Sequence, residues 1–433
     1  MKKIIPQKIK NLYHFWQAII ANVYYLFPSK KIKVIGITGT NGKTTTCQMI
    51  TKILEESGKK VAMISTINFK LGEREWINKT KFTTVSTFAT QKFIALAVKE
   101  KCDYLVLETS SHSLDQYRVW GIEYFIGVIT NITREHLDYH KTMDGYRQAK
   151  LKLFKNIKTA IVNLDMEYPE EFLKYGTEKV FGYTAKNENV KIETRNNDKI
   201  KIIQAENVKL GIDGSEFKVE KTEFKINLPG LFNIENALAA ICTGISEGID
   251  LGVIKKALAK IMRVPGRMDE VRNNLGLKII IDYALTPDSM EKLGVLISEQ
   301  KLPNKSIIWV FGSCGERDRG KRPMMGEIVS RYADYAIVTN EDPYNEDPQA
   351  IIDAVFSGAV KNKKLKENKN CWRVLDRRLA IASALKLAKP GDVILVTGKG
   401  AEETMAVGKK RILWNDRRVI EEELKKLKKN NEE

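Results

Sequence analysis

Residues 31–50 read KIKVIGITGTNGKTTTCQMI and contain the decisive signal for the fold. The apolar run from Ile32 to Ile37 predicts a β-strand, and the residues after Thr45 predict a helix. The loop between them is rich in glycine, which lets backbone N–H groups turn inward and bind phosphate oxygens. The positive N-terminal end of the helix adds to that attraction. The stretch therefore predicts a strand, a phosphate-binding loop and a helix.

Two side chains of this loop suit the phosphates of a nucleotide. Lys43 is placed to reach the β- and γ-phosphates, and the Thr44 hydroxyl is placed to bind Mg²⁺. The general pattern for such loops has glycine where this chain has Ile37, so the loop is a variant form. The guanine-specificity motifs of GTPases are not evident in the sequence. The loop predicts nucleotide binding, but it does not separate a kinase from a ligase.

Strand and helix patterns alternate around the loop. Further strands are predicted at residues 61–67, 104–108 and 125–130, with a helix at 88–101. This alternation predicts an α/β fold with a mainly parallel sheet covered on both faces. Residues 178–228 contain short β-rich pieces between the turns KNEN, RNND and GIDGSE, and they predict an antiparallel section.

The alternation restarts near residue 264 and predicts a second α/β unit, smaller and Rossmann-like. Its strands are predicted at residues 277–282, 306–311, 335–339 and 392–397. We therefore expect three parts. These are a basic, aromatic helical segment (1–30), a central nucleotide-binding domain (31–262) and a C-terminal α/β domain (263–433).

The composition narrows the choice of partners and compartment. The formal net charge of +18 favours anionic partners such as nucleotides or an acidic membrane surface. No aromatic-basic RNA motif or helicase signature accompanies that charge, so we expect no nucleic-acid partner. The five cysteines are scattered without CxxC spacing, which argues against a disulfide framework or a structural zinc site. With no evident cleavable signal peptide, a cytoplasmic protein is expected.

Residues 12–27 form an apolar and aromatic stretch with lysines on both sides. A membrane-spanning helix needs about 20 apolar residues, so this stretch is short for one. Three interpretations stay open: a helix packed on the protein itself, a helix lying in a membrane interface, and a signal anchor. Peripheral membrane contact through residues 1–30 is thus one expectation.

A series of segments, taken in chain order, resembles the motifs of the Mur ligase family. Besides TGTNGKTTT, they are ETSSHSL at 108–114, TNITREHLDYH at 130–140, YRQAK at 146–150, GLFNIEN at 230–236, VPGRM at 264–268, DYA at 282–284 and FGSCGERDRGKRP at 311–323. The resemblance spans residues 31–433. It is greatest for the UDP-N-acetylmuramoyl-tripeptide synthetases, which add the third peptide residue.

The resemblance implies an ADP-forming ligase that uses ATP and Mg²⁺ to add an amino acid to a peptidoglycan precursor. Transfer of the γ-phosphoryl group turns a carboxylate into an acyl phosphate, which an amine can attack because phosphate is a good leaving group. The catalytic residues implied are Lys43, Glu108, His136 and Lys150. The metal ligands implied are Thr44, Glu108, His136 and Lys150, the last of them as a carbamate.

Further contacts are implied by the same resemblance. Those to ATP are Gly39, Thr40, Asn41, Gly42, Lys43, Thr44, Thr45, Asn131, Asn233, Asn236, Arg267 and Asp282. Because the last two lie in the C-terminal domain, the resemblance implies that domain closure completes the site. Those to the nucleotide-sugar peptide and the amino acid are Thr83, Thr84, Ser111, Arg118, Glu341, Asp342, Tyr344, Gly398 and Glu402. A monomer is expected.

The sequence departs from the family pattern in three places. Only residues 1–30 precede the loop's strand, so the usual UDP-binding domain is expected to be missing. The Asp-Asn-Pro-Arg segment of diaminopimelate-adding relatives aligns with residues 341–344, which read EDPY. Two acidic residues there suit the free ammonium of lysine or ornithine, whereas Tyr344 cannot form a bidentate ion pair. Leu285 and Ala401 replace two family histidines.

The acceptor stays open at this stage. UDP-N-acetylmuramoyl-dipeptide is the first expectation, and a pseudomurein or lipid-linked precursor is the alternative. The LDYH and RDRGKRP segments argue against the folylpolyglutamate branch of the fold. A catalytically silent nucleotide-binding scaffold is a further alternative, against which the intact Lys43, Glu108 and His136 argue.

Overall fold

The computed structural model describes residues 6–80, 83–186, 200–211 and 213–432, with side chains up to residue 428. The chain divides into two compact units. The first contains the residues up to Thr133 together with Thr142–Met262. The second contains Arg134–Lys141 and the residues from Arg263 onward.

The first half of the chain alternates strands and helices. The helices up to residue 262 are α1 (Gln7–Tyr24), α2 (Lys43–Glu56), α3 (Thr87–Lys99), α4 (Ser111–Asp115), α5 (Leu137–His140), α6 (Met143–Leu151), α7 (Glu170–Leu173), α8 (Leu231–Ser246) and α9 (Leu251–Ala259). The strands are β1 (Lys33–Thr38), β2 (Val61–Ile64), β3 (Asn68–Leu71), β4 (Arg74–Ile77), β5 (Tyr104–Glu108), β6 (Tyr124–Ile129), β7 (Thr159–Asn163), β8 (Lys179–Thr184), β9 (Ile200–Gln204), β10 (Glu206–Gly211), β11 (Gly214–Val219) and β12 (Thr222–Ile226).

Within the described residues, nine strands form one sheet in the order β4-β3-β2-β5-β1-β6-β7-β8-β9. The strands from β2 to β9 in that order run parallel, which confirms the predicted parallel sheet. The side chains of the central strands β1, β5 and β7 are buried on both faces, apart from Lys33 at the start of β1, as parallel strands between helices require. The strand β1 lies at the centre, so the loop that follows it opens at the carboxyl edge of the sheet.

The prediction of an antiparallel section over residues 178–228 was wrong in its first part. The strands β8 and β9 extend the large sheet in parallel, because the apolar side chains of Val180–Thr184 are buried on both faces. Only β10, β11 and β12 form an antiparallel sheet. The RNND turn and most of KNEN lie outside the described residues. The antiparallel hairpin of β3 and β4 was not predicted.

The second unit is another α/β layer structure. Its helices after residue 262 are α10 (Pro287–Gln300), α11 (Lys321–Tyr332), α12 (Pro348–Ala359), α13 (Arg377–Leu387) and α14 (Asp416–Glu432). Its strands are β13 (Asp269–Val271), β14 (Lys278–Asp282), β15 (Ile307–Phe311), β16 (Tyr335–Thr339), β17 (Cys371–Val374), β18 (Val393–Thr397), β19 (Thr404–Val407) and β20 (Lys410–Leu413).

The main sheet of this unit has the order β13-β14-β18-β15-β16-β17. All of its pairs are parallel except β13 with β14. Alternate residues of β15 enter different cores: Trp309 and Phe311 pack on one face of the sheet, and Ile308 and Val310 on the other. The predicted second α/β unit is confirmed.

A buried ion pair anchors α14 to this unit. The Arg377 guanidinium donates to both carboxylate oxygens of Asp416, at 2.9 and 2.7 Å, and neither side chain is more than 1% exposed. The substitution Asp416→Ala leaves that guanidinium buried without its carboxylate. We expect it to lower the free energy of unfolding by about 3–5 kcal/mol, measured by urea denaturation.

The matched control is Glu422→Ala, on the same helix. Glu422 pairs with Arg378 at the surface, where water replaces the lost contact. We expect nearly unchanged unfolding for this variant. Equal midpoints for the two variants would show that the Arg377–Asp416 pair does not stabilise the unit.

In the part of the chain that the structure describes, no helix is both long enough and apolar enough to cross a membrane.

Candidate active site

The phosphate-binding loop between β1 and α2 has a backbone that only glycine can follow at two positions. Gly39 has φ +148° and Gly42 has φ +83°, both in the region that L-residues rarely adopt. A Cβ atom at Gly39 would lie 1.8 Å from Thr130 Oγ1, and one at Gly42 would lie 2.2 Å from Asn236 Oδ1. These close approaches explain why the loop needs both glycines.

The two residues that follow β6 form hydrogen bonds to the backbone of the loop. The Asn131 amide accepts from the backbone N–H of Asn41 at 2.8 Å and donates to the Asn41 carbonyl at 3.2 Å. The Thr130 hydroxyl donates to the same carbonyl at 2.7 Å. Asn131, predicted to contact ATP, therefore contacts the loop that would bind the nucleotide.

The other two predicted asparagines lie on α8, beside the start of α2. The Asn236 side chain accepts from the Thr46 hydroxyl at 3.3 Å and donates to Asn233 Oδ1 at 3.3 Å. Asn233 in turn donates to the Pro229 carbonyl at 2.8 Å. Both are buried, and together they tie α8 to the end of the loop.

Lys43 is the first residue of α2, and its side chain lies along the loop. Its Nζ donates to the carbonyls of Gly39 at 3.0 Å and Thr40 at 2.9 Å. Backbone N–H groups at this helix start are oriented to bind an anion, and the charge of Lys43 adds to that field. The loop, the helix end and the lysine thus form one cationic cradle.

Glu108 ends β5, next to β1 in the sheet and in register with Ile37. Its carboxylate accepts from the Thr44 hydroxyl at 3.0 Å. It also accepts from the backbone N–H of Thr66 at 2.7 Å and from the Thr66 hydroxyl at 2.9 Å. Glu108 is 2% exposed, so these bonds hold a buried carboxylate at the carboxyl edge of the sheet.

The pair of Thr44 and Glu108 fits a magnesium ion. A hydroxyl and a carboxylate oxygen are the hard ligands that Mg²⁺ prefers, and Mg²⁺ commonly uses one or two carboxylates together with substrate phosphates. Among the described residues, no group of three or more His, Cys, Asp or Glu side chains could hold a metal. The ion would accordingly be held jointly by these two residues and the phosphates of the nucleotide.

Lys150, near the end of α6, is 1% exposed. Its Nζ lies 4.3 Å from the centre of the Tyr146 ring, and the Tyr146 hydroxyl lies 3.2 Å from Thr40 Oγ1 of the loop. Burial lowers the pKa of Lys150 well below that of an ordinary lysine, and the positive charge of Lys43 lowers it further. The amine is therefore biased toward its neutral, nucleophilic form.

The predicted acceptor residues of the first unit surround the end of β5. The Thr83 hydroxyl accepts from Thr66 at 3.0 Å, and the Thr84 hydroxyl donates to the Glu108 carbonyl at 3.2 Å. The Arg118 guanidinium donates to the carbonyls of Thr84 and Val85, the latter at 2.9 Å. Arg118 thus supports the turn that carries both threonines, and Ser111 is buried at the start of the adjacent helix α4.

In the second unit, the predicted amino-acid residues cluster around a buried lysine that the sequence analysis did not select. Lys399 Nζ contacts Asp342 at 2.9 Å and also pairs with Glu402. Asp342 also accepts from the backbone N–H of Ala406 at 2.6 Å. The Asp342 carboxylate is thus already bonded within the protein, and its predicted contact with a substrate ammonium remains a prediction.

Glu341 has a different environment. Its carboxyl accepts from Cys314 Sγ at 2.8 Å, and burial raises its pKa. A Cβ at Gly398, whose φ is +105°, would lie 2.4 Å from Glu341 Oε2. Glycine at this position therefore makes room for the Glu341 carboxyl.

Tyr344 lies beside an exposed cation. The Arg317 guanidinium carbon is 5.4 Å from the centre of the Tyr344 ring, and its side chain is exposed. Arg317 belongs to the RDRGKRP segment but was not among the predicted site residues.

The two predicted nucleotide contacts of this unit lie together. Arg267 stacks on the Tyr283 ring at 4.4 Å. Asp282, at the end of β14, accepts from the backbone N–H groups of Met268 at 2.8 Å and Ala284 at 2.7 Å. The Tyr283 hydroxyl donates to Glu402 at 3.3 Å.

The short segment Arg134–Lys141 packs with the second unit. Within that unit, the buried Lys321 ammonium contacts Glu135 at 3.0 Å and donates to the Leu285 carbonyl at 2.9 Å. His136 precedes α5 with φ +58°. Its role as a metal ligand remains a prediction.

Two protein families match this chain in sequence. The Mur ligase middle domain matches residues 37–244, and the Mur ligase glutamate ligase domain matches residues 266–400. A UDP-N-acetylmuramoyl-L-alanyl-D-glutamate--2,6-diaminopimelate ligase of Syntrophomonas wolfei is 40% identical over 417 residues, covering 94% of this chain and 81% of that protein. An enzyme of the same name from Clostridium tetani is 41% identical over 416 residues, covering 95% and 81%.

Two solved structures have a fold similar to that of this chain. One of a UDP-N-acetylmuramoyl-L-alanyl-D-glutamate--2,6-diaminopimelate ligase has a TM-score of 0.61 at 26% identity, covering 98% of this chain and 84% of the other. A pseudomurein peptide ligase type C from Methanothermus fervidus shares the fold, with a TM-score of 0.63 at 22% identity over 90% and 79% of the two chains.

The chain belongs to the Mur ligase family. It is an ADP-forming acid–amino-acid ligase that uses ATP with Mg²⁺.

Proposed function

We propose that this ligase adds the third amino acid to UDP-N-acetylmuramoyl-dipeptide in peptidoglycan precursor synthesis. The observation that carries its phosphoryl-transfer chemistry is the Glu108 carboxylate bonded to Thr44, beside the loop that bears Lys43. The relatives at about 40% identity are named for this acceptor and support its choice. We further propose that the reaction takes place in the cytoplasm and that the active form is a monomer.

The residues of the first unit suit transfer of a phosphoryl group from ATP to the acceptor carboxylate. The loop amides and Lys43 would bind the β- and γ-phosphates and stabilise the charge that develops on the transferred group. Thr44 and Glu108 would hold Mg²⁺, which supplies positive charge beside the phosphates. The amine of the incoming amino acid then attacks the acyl carbonyl, the new C–N bond forms, and inorganic phosphate leaves.

The lysine Lys150 is proposed to act as a carbamate. Its neutral amine would add to carbon dioxide and release one proton, which converts the buried amine into a carbamate whose two oxygens share one negative charge. Two features favour that change: burial keeps the amine neutral, and the positive charge of Lys43 would attract the anionic carbamate. The anionic oxygens would serve Mg²⁺ as further hard ligands. His136 is proposed as another ligand of the catalytic metal.

Several predicted contacts are proposed to act through their neighbours. Asn131, Asn233 and Asn236 would position the loop, because they form hydrogen bonds to the loop, to α2 and to the start of α8. Arg118 would position the turn that carries Thr84. Arg267 and Asp282 remain proposed nucleotide contacts.

The incoming amino acid is proposed to be a diamino acid, with diaminopimelate as the first candidate. The relatives carry that name, and Asp342 is already paired with Lys399. Instead, Arg317 beside Tyr344 offers an exposed cation to a distal carboxylate. Lysine and ornithine lack that carboxylate.

The test is phosphate release from ATP by the full chain, with UDP-N-acetylmuramoyl-dipeptide and one amino acid at a time: diaminopimelate, lysine or ornithine. We expect release that requires both acceptor and diaminopimelate. Release only with a pseudomurein or lipid-linked acceptor would replace the proposed acceptor. If the chain binds nucleotide but releases no phosphate under any condition, the proposed function would be replaced by that of a catalytically silent scaffold.

The specificity proposal has its own variant. Arg317→Met should raise the KM for diaminopimelate by at least about tenfold, because a charged contact of this kind contributes about 1.5–3 kcal/mol. The KM for ATP should not change. Arg319→Met is the matched control, since Arg319 pairs with Glu346 at the surface. Unchanged KM for diaminopimelate in both variants would remove Arg317 from the site.

A further inference from the structure

The helix α1 packs on the first unit by one face. Ala18 and Ala21 are fully buried on that face. The Asn22 side chain donates to the Trp120 carbonyl at 2.8 Å, and the Phe15 ring meets the Tyr117 and Trp120 rings edge-on at 5.5 and 5.1 Å. These contacts fix the orientation of α1 on the first unit, and its opposite face therefore points away from that unit.

The opposite face is apolar and exposed. At 3.6 residues per turn, Ile9, Trp16, Ile20 and Val23 fall on one line along the helix, directly opposite Ala18. Each is more than half exposed, as are three neighbours on its borders. We name this set the apolar stripe; its members are Ile9, Leu12, Tyr13, Trp16, Ile20, Val23 and Tyr24. A continuous patch of this kind marks an interaction surface.

The charged residues of α1 itself are of one sign. The helix α1 contains no Asp or Glu, and the exposed Lys8 and Lys10 flank the stripe on its two sides. Aromatic residues such as Trp16 and Tyr24, with an apolar body and a polar tip, prefer the interface between lipid and water. An exposed apolar face bordered by lysines is the pattern of a helix that lies in the plane of an anionic membrane.

A basic groove continues from the end of this helix. It has a volume of about 1310 Å³ and is lined by Phe27 and by an excess of lysines, among them Lys31, Lys101 and Lys155; two acidic residues, Asp103 and Glu123, also line it. It also reaches Lys33, the first residue of β1. The groove therefore lies at the amino edge of the parallel strands, opposite the carboxyl edge that carries the phosphate loop.

We propose that the apolar stripe and this lysine groove bind the surface of an anionic phospholipid membrane. The stripe would enter the level of the headgroups, and the lysines would contact lipid phosphates. Because the groove and the phosphate loop lie at opposite edges of the sheet, the catalytic loop stays open to solvent in the bound state. The proposal does not depend on the identity of the acceptor or of the amino acid.

A second copy of the chain fits the stripe less well. Two α1 helices packed in parallel by their stripes would bring Lys8 and Lys10 of each copy together, and in either orientation the helix offers no acidic residue to pair with them. An anionic bilayer supplies the missing charge. Charge complementarity thus favours the membrane as the occupant.

The experiment is flotation of the full chain with vesicles, without ATP or acceptor. We expect binding to vesicles of phosphatidylglycerol and phosphatidylcholine, little binding to pure phosphatidylcholine, and weaker binding at high salt. The double variant Trp16→Ser and Ile20→Ser should lower the partition coefficient at least about tenfold. The double variant Lys8→Glu and Lys10→Glu should lower binding to the anionic vesicles and should leave the weak binding to pure phosphatidylcholine unchanged.

The control is the double variant Leu302→Ser and Leu413→Ser, which removes two exposed apolar side chains in the second unit. It should bind vesicles like the parent, and all three variants should keep the parent's ATP turnover in vesicle-free solution. Absence of binding to anionic vesicles, or equal binding by the stripe variant, overturns the proposal. A dimer in analytical ultracentrifugation that the stripe variant dissociates would identify a second copy as the occupant and also overturns it.

Discussion

Replacing Lys43 by alanine should lower kcat for ligation by about a hundredfold to a thousandfold. The Lys43 ammonium lies over the loop, within 3.0 Å of two of its carbonyls. At this position it can stabilise the negative charge that develops on the transferred phosphoryl group. Its removal takes away a cation that acts in the transition state. The measurement is phosphate release at saturating ATP, acceptor and amino acid.

The same helix provides the control. Lys52 faces the surface of α2 and lies 3.9 Å from Glu55, so Lys52→Ala should leave kcat unchanged. The melting temperature of both variants should stay close to that of the parent, because neither lysine is fully buried. Turnover of Lys43→Ala within a few-fold of the parent would mean that this loop does not bind the transferred phosphate.

Replacing Lys150 by methionine should reduce kcat to a similar extent, because the proposed carbamate oxygens are lost while the buried volume is nearly kept. For the parent enzyme, activity after removal of dissolved carbon dioxide should fall and recover on addition of bicarbonate. The carbamate needs the neutral amine. Its occupancy at fixed carbon dioxide should therefore fall as the pH is lowered through the pKa of Lys150, which burial places below the ordinary lysine value.

Native mass spectrometry gives a readout that does not depend on activity. The parent should show a species heavier by one carbon dioxide, and Lys150→Met should not. Lys174, an exposed lysine after α7, supplies the control, and Lys174→Met should keep both the heavier species and the activity. An unmodified mass for the parent at saturating bicarbonate, with bicarbonate-independent turnover, would eliminate the carbamate.

The local order of strand, loop and helix could be predicted because each depends on neighbours in the chain. The apolar run of β1, the two glycines and the start of α2 follow from periodicity and from the backbone freedom of glycine. The alternation of strands with helices was sufficient for the parallel sheet. The strand β8 was misjudged, because the pairing of a short strand depends on which distant strand buries it.

The partners of the site residues could not be predicted in the same way. Thr66 binds Glu108 with two hydrogen bonds although 42 positions separate them. No periodic pattern marks it. Lys399 is likewise fully buried between Asp342 and Glu402, and the sequence suggested only that these acids were available to a substrate.

The sequence by itself determined the fold class, the phosphate loop and the family, because each of these depends on short segments whose residues are close together in the chain. Only the tertiary structure decided which charges remain for substrates and which are already paired. It also decided that Lys150 is buried beside Lys43, and that one face of α1 stays exposed. Burial and ion pairing depend on residues far apart in the chain, which only the folded structure brings into contact.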